Sequence, residues 1–304
     1  MRGVFVDANE ALAVIFERLT KPGDPRVCIH RDPDVTPDQL PKVLDGAGIA
    51  IVDHTALPTA IARQCAGLKH VVFLGTGVRS YMNPEELAEL GISVHLIRGY
   101  GDTAVAESTI ALMWAAARGI AQMDREMRAG NWLREDGMQL TGKTLGLIGF
   151  GGIAAEVARI ALGSGMRVLA WNRSPKNFAG VGFVDLDTLL AQSHVVSLHL
   201  LLNDETRGFV TRQRIAAMKP GVILVNTARG ALVDEAAMIE ALKSGQIRHA
   251  GLDVFNIEPL PADHPLAKLP NVTLSAHSAF RTPEASENLI HAAWEHCRRI
   301  AKEA

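Results

Sequence analysis

Short apolar runs rich in β-branched residues alternate with longer stretches whose apolar positions recur at helical spacing. In the first hundred residues Val4–Val6, Arg26–His30, Ile49–Val52, Val71–Leu74 and Ser93–His95 read as strands. Helical segments such as Ala8–Leu19 and Pro84–Leu90 lie between them. The second half repeats the rhythm more strongly, with strands expected at Thr144–Ile148, Arg167–Trp171, Val195–Leu200, Val222–Asn226, Ala250–Val254 and Val272–Leu274. Near-continuous apolar strands separated by helices predict parallel sheets covered on both faces. Two such series predict an α/β chain of two doubly wound domains. The joint is placed at the Gly-Tyr-Gly of residues 99–101, which interrupts the pattern. One domain is then 1–99, with the final helix crossing back to it as 281–304, and the other is 100–280. A long helix, capped by Asp102 or Thr103, is expected over Ala104–Met123. Its stretch from Ser108 to Ala117 is nearly all apolar, which predicts burial between domains or subunits and, with it, a homodimer.

The chain's 304 residues suffice for two cores, and 48% apolar residues mark a packed globular protein. A formal net charge of −2 with no long basic block argues against nucleic acid or an anionic membrane as main partner. The three cysteines, Cys28, Cys65 and Cys297, form no Cys-x-x-Cys pair. They fit a reducing cytoplasm rather than a disulfide framework or zinc site. Asp7 cuts the N-terminal apolar run short, so no secretory segment is expected there, and no uncharged stretch approaches the length of a membrane span. No His/carboxylate grouping has metal spacing, and no metal is expected.

Two glycine loops stand close together. Gly137-x4-Gly142-Lys143-Thr144 spells the P-loop pattern, and Gly149-x-Gly151-x-x-Ala154 spells a dinucleotide fingerprint with alanine in its last place. A P-loop needs a strand before it and a helix after it, so that helix N-terminal amides point at phosphate. Here no strand precedes Gly137, and a strand follows Lys143, so Gly-Lys-Thr reads as the turn that launches the strand. The second loop has the right context: a buried strand before it and an amphipathic helix after it. Gly149 permits the tight turn, Gly151 lets a pyrophosphate approach the backbone, and Ala154 lets helix pack on strand. Gly152 and Ile153 open the helix and are expected beside the same phosphates.

An NAD-binding protein usually ends its next strand on an acid that accepts from the ribose hydroxyls. This chain has Trp171-Asn172-Arg173-Ser174 there. Arg173 pairing with a 2′-phosphate, helped by donors on Asn172 and Ser174, predicts NADP, with NAD as the alternative.

Three further motifs lie downstream: Asn226-Thr-Ala-Arg229-Gly230, Leu252-Asp253-Val-Phe-x-x-Glu258-Pro259 and Ser275-Ala-His277-Ser278. Together with the fingerprint, Leu74-Gly75-Thr76-Gly77 and Val105-Ala106-Glu107, they resemble the D-isomer-specific 2-hydroxyacid dehydrogenase family over nearly the whole chain. The resemblance implies a Rossmann dinucleotide-binding domain and a flavodoxin-like substrate domain. It also implies a catalytic trio of Arg229, Glu258 and His277. The chemistry suits them. A histidine can exchange a proton with the carbonyl oxygen near neutral pH. A nearby carboxylate favours the imidazolium, and an arginine can hold a carboxylate or the charge developing on that oxygen. Asp253 resembles the residue that orients the nicotinamide amide, and Thr227 and Ala228 are expected to line the cofactor. Gly75, Thr76 and Gly77 resemble the loop that takes the substrate carboxylate on backbone N–H groups. The family's acidic residue after that loop is missing; Arg79 stands in the run instead. The function implied is reduction of a small 2-keto acid of the glyoxylate or hydroxypyruvate type to the D-2-hydroxy acid. The alternatives are a phosphoglycerate dehydrogenase-like enzyme and a non-enzymatic, NAD(P)-sensing regulator of the same fold.

Overall fold

The computed structural model describes residues 2–303, and the chain divides into two compact units. One holds the chain up to Gly101 together with the stretch from Arg281 onward; the other is Asp102–Phe280.

In the first unit, β1 (Gly3–Phe5), β2 (Val27–Ile29), β3 (Ile49–Val52), β4 (His70–Phe73) and β5 (Ser93–Leu96) form one parallel sheet in the order β2-β1-β3-β4-β5. That is the flavodoxin-like order. β3 is buried at every position, as its uninterrupted Ile-Ala-Ile-Val requires. The C-terminal helix Pro283–Glu303 packs on this sheet. Its Leu289, Ile290, Ala293 and Trp294 join Phe5, Phe16, Ile51 and Val72 in one core. Trp294 stacks on Phe16 with ring centroids 4.3 Å apart, and its indole N–H donates to the Phe16 carbonyl at 3.1 Å. Such a partner is what a buried indole needs to bring its large apolar area inside without stranding a donor.

The second unit carries β6 (Thr144–Ile148), β7 (Arg167–Trp171), β8 (Val181–Phe183), β9 (Val195–Leu198), β10 (Val222–Asn226), β11 (Ile247–Leu252) and β12 (Val272–Leu274). They form a parallel sheet in the order β12-β11-β10-β9-β6-β7-β8. The chain winds one way from β6 to β8 and the other way from β9 to β12. The order therefore reverses between β6 and β9, and ligands of open α/β sheets bind at the carboxyl ends of such a switch.

Two features differ from the sequence expectation. The long helix is two helices, Asp102–Arg118 and Ile120–Arg128, because Gly119 adopts φ 61° and ends the first. One face of the apolar stretch in the first of them is covered by its own unit. Ile110, Leu112, Met113, Ala116 and Ala117 pack with Leu145, Leu147, Val157 and Val225. Gly251 allows that approach, since a Cβ there would lie 3.1 Å from Leu112. Within the same run Ala111 is exposed and Trp114 and Ala115 are half-buried. The strand β8, too short and Gly-centred to stand out as an apolar run, extends the sheet beyond β7.

Candidate active site

The glycine loop between β6 and the helix Gly152–Gly163 lies at the switch point. Gly149 has φ 90°, and a Cβ there would lie 2.6 Å from the His199 carbonyl, so two backbones approach through it. A Cβ on Gly151 would meet nothing within 4 Å. Gly151 is also the helix N-cap and provides no side-chain cap, so the first amides of a 12-residue helix face that open space. Ala154 is fully buried against the sheet. This cradle fits a dinucleotide pyrophosphate: orphan donors, a positive helix end and open space at Gly151. Gly152 has a different reason to be glycine, because a Cβ there would lie 1.8 Å from an oxygen of Asp102. The P-loop spelling at residues 137–144 has no helix after it; Thr144 opens β6 and is buried.

Asn172, expected to donate to a cofactor phosphate, holds the protein's own loops. Its Oδ1 accepts from the Phe150 N–H at 3.0 Å and its Nδ2 donates to the Ser174 carbonyl at 2.8 Å. Asn172 therefore fixes the glycine loop from the end of β7. Arg173 and Ser174 are exposed, and Arg173 donates from one guanidinium nitrogen to Glu205 at 2.9 Å.

The second cluster forms at the carboxyl ends of the adjacent strands β10, β11 and β12. Buried Asn226 ends β10; its Oδ1 accepts from the Ala228 N–H at 3.0 Å and its Nδ2 donates to the Arg229 carbonyl at 2.9 Å. The turn bearing Thr227, Ala228 and Arg229 is thus set by Asn226. The Thr227 hydroxyl is 2.8 Å from that of Thr109, which donates to the Val105 carbonyl, so it faces the protein. Next comes Gly230, where a Cβ would lie 2.2 Å from the Phe255 carbonyl carbon. Only a glycine lets the Asp253–Glu258 loop lie against the Arg229 turn. In that loop one oxygen of Glu258 accepts from the Phe255 N–H at 2.9 Å, and the other meets His277 Nδ1 at 2.6 Å. With the carboxylate anchored to backbone, Nδ1–H donates to it and Nε2 is left as the chemically free ring nitrogen.

His277 has φ 47°, the one positive value outside glycine among the described residues. Asp253 over-determines that conformation. It is 1% exposed; Oδ1 accepts from the Ser275 hydroxyl at 2.5 Å and the Ser278 N–H at 3.0 Å, and Oδ2 accepts from the Ala279 N–H at 3.0 Å. The His277 N–H donates to the Asp253 carbonyl at 2.7 Å. Asp253 thus clamps the histidine loop, a role additional to the nicotinamide contact expected of it. Hydrogen bonds to a charged acceptor are worth about 1.5–3 kcal/mol each, enough to hold a strained residue costing about 1–3 kcal/mol.

In the first unit the loop Gly75–Gly77 follows β4 at its carboxyl end. The Gly75 N–H already donates to the Phe73 carbonyl at 2.8 Å, while those of Thr76 and Gly77 have no hydrogen-bond partner among the described residues. Arg79 pairs with Glu85 at 2.5 Å. Among the described residues no cluster of histidine, cysteine or acidic side chains is arranged to hold a metal, and no helix is long and apolar enough to cross a membrane. Asn226, Gly230 and Glu205 went unnoticed in the sequence. Asn226 and Gly230 lay inside a quoted motif; Asn226 serves the turn next to it, while Gly230 meets Phe255, 25 residues on.

A dinucleotide cradle at the switch point of a seven-stranded parallel sheet, with a histidine–carboxylate pair on the same edge, defines a nicotinamide-type oxidoreductase. Residues 110–279, more than half the chain, match the family model described as "D-isomer specific 2-hydroxyacid dehydrogenase, NAD binding domain". The chain is 39% identical over 259 residues to a hydroxypyruvate reductase of Thermotoga maritima, covering 83% of this chain and 84% of that one. It is also 39% identical over 247 residues to a D-3-phosphoglycerate dehydrogenase of Archaeoglobus fulgidus, covering 79% of this chain but 47% of that one. Among solved structures it resembles the TT0316 protein of Thermus thermophilus, with TM-score 0.88, 35% identity and coverage of 100% of this chain and 97% of that one. The chain belongs to the D-isomer-specific 2-hydroxyacid dehydrogenase family.

Proposed function

We propose that this protein reduces a small 2-keto acid of the glyoxylate or hydroxypyruvate type to the D-2-hydroxy acid, with NADP as the favoured cofactor. The observation that carries the reading is the 2.6 Å contact between His277 Nδ1 and a Glu258 carboxylate that is itself fixed to backbone. When bound, the nicotinamide supplies the hydride to the keto carbon. His277 gives the proton from Nε2 to the carbonyl oxygen and recovers it in the reverse direction. Glu258 fixes the ring's orientation and stabilises the imidazolium. Arg229 holds the carboxylate or the charge that builds on the carbonyl oxygen. The free N–H groups of Thr76 and Gly77 suit a substrate carboxylate. The glycine cradle takes the pyrophosphate, and Arg173 takes the 2′-phosphate.

The experiment is NADPH and NADH oxidation with glyoxylate, hydroxypyruvate, pyruvate and phenylpyruvate. Turnover with the first two at about 1–10³ s⁻¹ is expected of a working enzyme. Tight cofactor binding with no turnover on any of the four would point to a sensor of the cofactor instead. His277→Ala is expected to abolish reduction while leaving the dissociation constant for NADPH within about twofold. A variant whose cofactor affinity falls sharply while kcat at saturating NADPH stays normal would contradict the role.

A further inference from the structure

The end of β7 lacks the acid usual in NAD-binding folds, yet the structure brings a carboxylate there from another strand's loop. Glu205 lies in the loop after β9, and Arg173 follows β7. In the sheet order β9-β6-β7 these two loops flank the glycine loop that leaves β6. The Arg173 guanidinium meets a Glu205 oxygen at 2.9 Å, with the side chains 80% and 74% exposed. The loop carrying Glu205 is braced: Thr206 Oγ1 donates to the Leu201 carbonyl at 2.6 Å and accepts from the Asn203 N–H at 2.8 Å. Asn172 braces the other loop as described above. Two fixed loops therefore present two solvated, opposite charges to each other.

We infer that the Arg173–Glu205 pair is the cofactor selector of this enzyme, and that Glu205 holds down its preference for NADP. The inference rests on the reading that Arg173 takes a 2′-phosphate. A phosphate dianion must draw the guanidinium away from Glu205, because one planar donor fork serves one anion best. The existing Arg173–Glu205 contact must therefore be given up before the arginine can take the phosphate. A ribose 2′-hydroxyl instead needs an acceptor, which the Glu205 carboxylate supplies without leaving Arg173. Glu205 thus works against the phosphorylated cofactor that Arg173 favours and assists the unphosphorylated one.

Dissociation constants for NADPH and NADH are measured by fluorescence titration for the wild type, Glu205→Gln, Arg173→Ala and the double variant. The exposed positions make folding of all four expected, checked by circular dichroism. An exposed ion pair of this kind is worth up to about 1 kcal/mol, so Glu205→Gln should tighten NADPH roughly 2–5-fold. NADH should weaken or stay level, so the NADPH/NADH preference rises. In the Arg173→Ala background the Glu205→Gln gain for NADPH should largely vanish, since the carboxylate acts through the arginine. A preference that does not move, or moves toward NADH, overturns the inference; so does a gain of equal size in the Arg173→Ala background, which would mark simple repulsion. Should Arg173→Ala weaken both cofactors alike, the 2′-phosphate reading itself fails. Should Arg173→Ala be selective and Glu205→Gln be silent, only the selector role fails.

Discussion

Gly151 and Gly230 both sit just past strand ends, yet a methyl group added to each meets opposite surroundings. At Gly151 it enters open space above the helix N-terminus; at Gly230 it lies 2.2 Å from the backbone of Phe255. Gly151→Ala is therefore expected to leave the melting temperature within about 2 °C and to weaken NADPH at least tenfold, because the methyl occupies the phosphate's approach. Gly230→Ala has no open space, and relief requires shifting the loop that carries Glu258. Overpacking of this kind costs about 1–3 kcal/mol, or a few degrees in melting temperature for a chain of this size. Its kcat should fall at least tenfold, with cofactor affinity little changed. Thermal melts and titrations on both variants check the pair; a Gly230→Ala enzyme with unchanged kcat would separate that loop from catalysis. The fingerprint glycines were legible in the sequence because strand, turn and helix are contiguous there. Gly230 was not, because its partner Phe255 belongs to the next strand's loop.

At the scale of elements every strand but β8 was legible, the three-residue β1, β2 and β12 and the Gly-centred β6 included. β3, β6 and β10 are buried throughout and stood out by composition. β8, with Gly182 between Val181 and Phe183, is stabilised by pairing with β7, which no local pattern reveals. Gly119 ends a helix whose apolar pattern by itself predicts continuation. The loop after β12 shows the same limit. Its histidine was legible as a motif, but the clamp that holds it was not. Two roles for Asp253 can be separated. If it clamps the loop, Asp253→Ala strands the buried Ala279 amide and the Ser278 amide without an acceptor. That costs about 2–4 kcal/mol and releases His277 from φ 47°. The expected result is a lower melting temperature and a kcat reduced at least tenfold, with the NADPH dissociation constant nearly unchanged. A large loss of cofactor affinity with kcat preserved at saturation would mark the nicotinamide contact, not the clamp, as its main role.

For the whole molecule, histidines set how stability varies with pH, and they oppose one another. His54 lies on the loop after β3, with Nδ1 3.2 Å from Asp53 and Nε2 2.7 Å from the Pro33 carbonyl. The hydrogen bond to Asp53 outweighs partial desolvation, and with Asp7 nearby it raises the His54 pKa from 6.5 to about 9. A raised histidine contributes stability that is complete below pH 6.5 and is lost as pH climbs from 6.5 through 9. His249 in β11 is 5% exposed, its Nε2 2.9 Å from the Thr273 hydroxyl, and burial lowers its pKa to about 4. In the first unit, burial also lowers His95 to about 4, helped by His296, His70 and Arg299 beside it. Those two stay neutral when folded and take a proton when unfolded, so their effect runs the other way. Stability falls as pH drops from 6.5 toward 4, by up to about 1.4 kcal/mol per pH unit for the well-buried His249 and by less for the more open His95. The melting temperature should therefore peak near pH 6.5 and decline on both sides. His54→Gln should lower it at pH 6 and flatten the alkaline limb alone, whereas His249→Gln should make the acid limb shallower, since His95 and His199, both lowered to about 4 by desolvation, still act there. Melts from pH 4.5 to 9.5 in matched ionic strength decide it: a His54→Gln curve parallel to wild type between pH 6.5 and 9 would mean that the solvated loop charge carries no net coupling to folding.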